Sequence, residues 1–144
     1  MSEKSFWTLV RNNLPFRCYR VENRVMLGMP DVHYVSKGKS GWIELKFVPK
    51  WPKKRINTGY RLQQAIWARE YIKNGGQSWI LIRIERDFTA LIHGKNSIEL
   101  YNRPSPQDFR DMSVFYKRGN MDRENWAELA HIILDHPLPP TFLA

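Results

Sequence analysis

The run Trp42-Ile43-Glu44-Leu45-Lys46-Phe47 constrains this chain most, because it reads as a strand with two unlike faces. Side chains alternate along an extended backbone, so Trp42, Glu44 and Lys46 share one face while Ile43, Leu45 and Phe47 share the other. The apolar set can enter a core while the acid and the lysine stay open. Upstream, Gly28-Met29-Pro30-Asp31 leads into Val32 and Tyr34, and the short polar stretch Ser36-Lys37-Gly38-Lys39-Ser40-Gly41 joins the two segments. That pattern predicts an antiparallel hairpin. A two-residue Lys37-Gly38 turn sets Asp31 opposite Glu44; a loop from Lys37 to Ser40 sets it opposite Lys46. Both registers put Asp31 on the Glu44 and Lys46 face. The register between them would bury its carboxylate beside Leu45, at a cost on the order of 2–7 kcal/mol for an unpaired polar group, and is rejected.

Two carboxylates converging at the end of one hairpin repel each other unless a cation lies between them. Hard oxygen donors with no cysteine or histidine cluster point to Mg²⁺ or Mn²⁺ rather than zinc. With Lys46 two residues beyond the second acid, such a site suits phosphodiester hydrolysis. The metal would activate the phosphoryl oxygen and a water, and the ammonium would stabilise developing charge. For any one of these residues a solvated surface charge is the simpler reading; the three together favour a site. His33 falls on the Asp31 face, where an exposed, uninvolved imidazole competes with a phosphate contact.

Composition narrows the partner. A formal charge of +9 over 144 residues and a pI near 9.9 favour a polyanion, with nucleic acid ahead of an acidic membrane surface. No apolar run approaches the ~20 residues of a spanning helix, and no signal peptide opens the chain. The single cysteine, Cys18, excludes an internal disulfide and a thiolate metal cluster, and fits a reducing cytoplasm. One domain is expected over 1–144, with a core over about 3–101 and a helical extension over about 102–144.

Along the chain, Phe6, Leu9, Val10 and Leu14 recur at helical spacing, with Ser2 as cap and Pro15 as stop, so residues 3–13 are predicted helical. Phe16 to Val25 alternates as a first strand, and Glu22 there reads as an ion-pair partner of Arg20 or Arg24. After Phe47 comes the densest basic segment, Lys50-Trp51-Pro52-Lys53-Lys54-Arg55, kept out of regular structure by its prolines. Its lysines and arginine can neutralise phosphates and Trp51 can stack on an unpaired base. Asn57-Thr58-Gly59 is expected to cap a main helix from Tyr60 to Asn74, ended by Gly75-Gly76. Leu62, Ala65, Ile66 and Ile72 would form its core stripe. Arg61, Gln63 and Gln64 lie in its first turn, where backbone amides favour phosphate.

Trp79-Ile80-Leu81-Ile82, within a strand from Ser78 to Glu85, is apolar throughout and predicts a central strand covered on both faces. Phe88–His93 and Ser97–Tyr101 are expected to form a further hairpin turning at Gly94-Lys95-Asn96. Short helices follow at Gln107–Phe115 and at Asp122–Leu134, with Trp126, Leu129, Ile132 and Ile133 inward. This last third either completes the core or builds a dimer surface. The expected fold is α/β, an αβββαβ core with a mixed central sheet flanked by helices, plus a C-terminal helical extension.

Gly28-Met29-Pro30-Asp31 followed by Glu44-Leu45-Lys46 resembles the PD-(D/E)XK nuclease superfamily. Within it the chain is most similar to the small VRR-NUC and phage or archaeal Holliday junction resolvase-like nucleases. The resemblance spans about residues 3–84 and implies a restriction-endonuclease-like core. It implies that Asp31, Glu44 and the Leu45 carbonyl bind one or two Mg²⁺ (or Mn²⁺) ions, with Glu3 on the opening helix as a further candidate ligand. Gln64 would correspond to the family's motif glutamine, with Gln63 as the fallback. The expectation is therefore a metal-dependent DNA endonuclease selective for junctions or branches, a phage or mobile-element product acting in the host cytoplasm. Asp31, Glu44, Lys46 and Gln64 would be catalytic. Lys50, Trp51, Lys53, Lys54, Arg55 and Arg61 would contact nucleic acid. Junction resolution would require a homodimer, since two opposed strands are cut. A non-catalytic nucleic-acid-binding protein on the same scaffold and a nuclease acting on RNA are the alternatives.

Overall fold

The computed structural model describes residues 2–22, 26–50, 54–86 and 88–135. Helix α1 (Glu3–Asn13) begins where the Ser2 hydroxyl accepts the Ser5 N–H at 3.1 Å, and stops at Leu14, ahead of Pro15. Strand β1 (Arg17–Arg20) is shorter than its alternation suggests. It pairs antiparallel with β2 (Val32–Ser36), which pairs antiparallel with β3 (Lys39–Val48).

The β2–β3 turn is Lys37-Gly38, with φ of 51° and 78°. Two successive positive φ values give the tight turn whose twist matches the flanking strands. Pairing then runs from Ser36↔Lys39 to Val32↔Ile43. Continued by one and two residues, this register sets Asp31 opposite Glu44 and Pro30 opposite Leu45, the first of the two expected alignments.

Helix α2 (Leu62–Lys73) carries the chain to β4 (Ser78–Ile84), which lies parallel to β3. Strand β4 is buried along its whole length, and its alternate residues serve two cores. Trp79 and Leu81 meet α1 residues Phe6 and Val10 on one face. Ile80, Ile82 and Ile84 meet Ala65 of α2 on the other. The predicted central strand is thus covered on both sides.

Beyond β5 (Phe88–His93) the structure departs from expectation. Ser97–Tyr101 is not the second arm of a hairpin but a short helix, α3, entered through a 3₁₀ turn at Gly94–Asn96. Ser97 is buried and its hydroxyl donates to the Ala65 carbonyl at 2.9 Å, docking α3 on α2. The partner of β5 is β6 (Ser113–Arg118), which occupies the end of the expected Gln107–Phe115 helix. That helix, α4 (Pro106–Met112), ends where the Ser113 hydroxyl donates to the Phe109 carbonyl at 2.7 Å.

Helix α5 (Arg123–Asp135) returns across the α1 face with Trp126, Leu129, Ala130 and Ile133 buried. The last third therefore completes the core and is not purely helical, because it supplies an edge strand. The result is a mixed six-stranded sheet in the order β1-β2-β3-β4-β5-β6 flanked by helices, with the expected αβββαβ succession from α1 to β4. Among the described residues no helix is long and apolar enough to cross a membrane.

Candidate active site

Asp31 is held at the mouth of β2 by three contacts. Its carbonyl accepts the Val21 N–H at 2.7 Å, tying it to the chain leaving β1. Its Oδ1 accepts the Leu45 N–H at 3.2 Å, and Oδ2 lies 3.8 Å from the Arg20 guanidinium. In an antiparallel ladder a residue's N–H and C=O face the same neighbour. The Leu45 carbonyl therefore faces the same edge as the Asp31 carboxylate, and Pro30, opposite it in the register, has no N–H to give it.

Glu44 is only 6% exposed, between β3 and α2, and so is more deeply placed than an open strand face predicts. Its Oε2 lies 3.2 Å from Lys46 Nζ and accepts the Gln64 side-chain amide at 2.8 Å. Gln64 is itself fixed at both ends. Its Oε1 accepts the Arg61 N–H at 2.9 Å, and its backbone carbonyl accepts the buried Tyr60 hydroxyl at 3.0 Å. The helix is thus started by Gln64 folding back on Arg61, not by the expected Asn57-Thr58-Gly59 segment.

This also rotates the α2 stripe. Gln64, Ala65, Ala68 and Ile72 are buried, whereas Leu62 and Ile66, both expected inward, are 43% and 45% exposed. A polar side chain takes an inward position because Glu44 needs a donor there.

Gly28 fixes the approach of the two segments. Its φ is +90°, and a Cβ on it would stand 2.3 Å from the Gln63 carbonyl oxygen. The chain entering Pro30-Asp31 can therefore lie against the first turn of α2 only with glycine there.

Asp31, Glu44, Lys46, Arg61 and Gln64 line one cleft of about 480 Å³. Glu3 stands on it from the start of α1, and Arg20, Glu22 and Met29 complete the wall. Burial pushes the Glu44 carboxyl up to about 7, with the Asp31 charge adding to the shift and Lys46 opposing it. Burial raises Asp31 as well, against the Leu45 N–H and Arg20, while Glu3 adds to both shifts. A buried acid whose ionisation is opposed by the acid beside it marks a place that a cation would relieve, and the hard oxygens of the two with a backbone carbonyl alongside fit Mg²⁺ or Mn²⁺. Among the described residues no three His, Cys, Asp or Glu side chains form a metal-holding group, so Glu3 lines the rim without closing a third carboxylate onto the pair.

The basic segment is arranged differently. Trp51 and Lys53 lie outside the described residues. Lys50 is exposed beyond the end of β3. Lys54 and Arg55, expected beside the acids, instead line a separate cleft with Arg103, and Arg55 donates to the Arg103 carbonyl at 3.1 Å. Of the expected contacts among the described residues, only Arg61 reaches the acid cleft. Gln63 faces an apolar hollow on the outer side of α2. His33 packs against Trp42 with ring centroids 4.9 Å apart and does not line the cleft.

Sequence reasoning missed Arg20 as the partner of Asp31 and Tyr60 as the support of Gln64. The sequence offers Arg20 or Arg24 as the partner of Glu22, because the β1–β2 register that sets Arg20 opposite Val32 is not fixed by a short turn.

Fold and cleft together define a mixed α/β protein with acids, a lysine and a glutamine from three elements meeting at one side of the sheet. Neither a protein-family model nor a curated protein matches the chain in sequence. Among solved structures it is similar to Hjc of Archaeoglobus fulgidus, a Holliday junction resolvase from an archaeal hyperthermophile. That likeness has 13% identity and a TM-score of 0.49, and covers 88% of this chain and 96% of that one.

Proposed function

We propose that this protein is a metal-dependent nuclease of the PD-(D/E)XK type that hydrolyses phosphodiester bonds in DNA. The observation that carries the reading is the convergence on Glu44: Lys46 Nζ at 3.2 Å and the Gln64 amide at 2.8 Å meet one oxygen, in the cleft that Asp31 shares.

Asp31, Glu44 and the Leu45 carbonyl would hold Mg²⁺ or Mn²⁺. When bound, the ion supplies Lewis-acid activation of the phosphate and of the attacking water. The other roles belong to the chain. Gln64 orients the Glu44 carboxylate and ties it to the start of α2. Lys46 stabilises the charge that builds on the phosphate oxygens and orients the incoming water, from a side chain that is mostly enclosed. Arg61 and Arg20 hold the flanking phosphate at the rim. Glu3, on the same rim, is a candidate outer ligand to the ion.

Branched DNA is the proposed substrate class, supported by the likeness of Pro30-Asp31 and Glu44-Leu45-Lys46 to the motif of the small resolvase-like nucleases. Opposed cuts in a junction would require a homodimer.

The test places purified protein with Mg²⁺ on labelled four-way junction, flap, nicked duplex and single strand, with RNA counterparts alongside. Cleavage that stops in EDTA is the expected result. Full activity in EDTA overturns the metal role, and preference for the RNA counterparts moves the substrate to RNA.

A further inference from the structure

At the opposite edge of the sheet, on the face that also carries Lys46, lies a second charged and aromatic cleft that hydrolysis does not use. Its volume is about 420 Å³, and Phe88, Gln107, Arg110, Tyr116 and Arg118 line it together with Pro106. The Phe88 and Tyr116 rings stand 5.0 Å apart and tilted by 35°. Arg110 lies over the Tyr116 ring, 5.1 Å from its centre, and Arg118 over the Phe88 ring at 5.9 Å, so a base entering the cleft meets guanidinium planes as well as rings. Both arginines are exposed, and neither has a carboxylate partner among the described residues.

We propose that this cleft binds an unpaired nucleotide of the substrate strand, its base on the Phe88–Tyr116 pair and its phosphates on Arg110 and Arg118. Every base has a π-face, so an aromatic platform flanked by cations takes single-stranded nucleic acid without regard to sequence. Strand pairing gives the distance to the acid cleft. Lys46 pairs with Ile82, Ile82 with Ala90 and Ala90 with Tyr116, so Lys46 and Tyr116 lie in one row across the sheet. Three strand spacings make this about 14 Å in a straight line, but Ile82 and Ala90 between them are buried. A strand joining the two clefts therefore runs around the covering helices and spans more than the roughly four nucleotides, at ~3.4 Å each, that the straight line would hold. Lys54, Arg55 and Arg103 line the cleft on the other side of α4, so cations flank that helix on both sides.

The inference rests on the nuclease reading and extends it to a strand that is unpaired at a point away from the cut. The test measures fluorescence anisotropy of a labelled ten-nucleotide thymidylate and of an abasic oligomer of equal length and charge, in EDTA, with the full chain. The wild type should bind the thymidylate at least about tenfold more tightly. Tyr116→Ala should weaken thymidylate binding about tenfold while leaving the abasic oligomer unchanged, and Tyr116→Phe should restore it. Arg110→Ala, on an exposed helix face, should weaken both and flatten the salt dependence by about 0.7 in log–log slope.

Equal wild-type affinity for the two oligomers, or Tyr116→Ala binding as the wild type does, overturns the proposal. If Tyr116→Ala does not fold, the oligomer comparison and Arg110→Ala decide it. Cleavage in Mg²⁺ without any dependence on bases removes this site and leaves the nuclease reading standing. Neither cleavage nor binding removes both.

Discussion

Glu44 accepts two hydrogen bonds on one oxygen from within the protein, and this sets its response to pH. Its carboxyl is raised to about 7 by burial and by Asp31, whereas an unfolded glutamate titrates near ~4.3. Below the lower value the group is protonated in both states and costs nothing. Between the two, the folded protein holds a proton that the unfolded chain has released, so stability falls as pH rises and the loss is complete above about 7. Metal-free protein should therefore melt at a lower temperature at pH 8 than at pH 5, and Glu44→Gln should flatten that dependence. Mg²⁺ should raise the melting temperature at pH 8 far more than at pH 5, because protons compete for the same oxygens; equal shifts at both pH values would contradict the ligand role. In cleavage assays Lys46→Ala and Glu44→Gln should each lower the rate by at least ~10²-fold, the scale for losing one preorganised electrostatic contact. DNA affinity in gel-shift titrations should stay nearly unchanged.

The elements that bring these side chains together differ in how legible they are. The β2–β3 hairpin could be read because its turn is short and its faces are unlike: excluding a buried Asp31 left two registers, and the positive φ of Lys37 and Gly38 selects one. Helix α1 and strand β4 were equally plain, one from its cap and spacing, the other from an unbroken apolar run. Helix α2 was misread in detail because Gln64 occupies an inward position that hydrophobic periodicity assigns to Leu62 or Ile66. Strand β6 was missed because its pairing with β5 is non-local and it follows α4 without a break. In Ser97–Tyr101, five residues with apolar Ile98 and Leu100 fit a strand as well as a turn of helix. The α2 start carries its own predictions. Gln64→Ala removes the acceptor for the Arg61 N–H and should cost about 0.5–2 kcal/mol in denaturant unfolding, with a larger fall in cleavage because Glu44 also loses its donor. Gly28→Ala should cost roughly 1–3 kcal/mol through backbone strain and should lower activity by shifting the Asp31 segment away from α2; wild-type stability would show that this close approach is not needed.

At the scale of the molecule, the two cores and the clusters of exposed cations occupy different regions of the described residues. Residues from α1 to α5 share the two cores, so the last third stabilises the sheet that carries the acids. The net charge of +9 was visible in the sequence, but its distribution was not. Arg61 stands with the acids, Lys54 and Arg55 stand by α4, and Arg110 and Arg118 stand at the far edge. A long-range field of this kind should make DNA binding steeply salt-dependent. Lys50→Ala, Lys54→Ala and Arg61→Ala should each change the log–log slope by about 0.9 if the residue meets a phosphate of duplex DNA. An unchanged slope would remove that residue from the interface. All of this depends on one ion lying between Asp31 and Glu44, and anomalous scattering from a crystal grown with Mn²⁺ tests that directly. A peak in contact with both carboxylates and the Leu45 carbonyl is the predicted result. A peak elsewhere, or the two carboxylates turned away from each other with no metal between them, would contradict it.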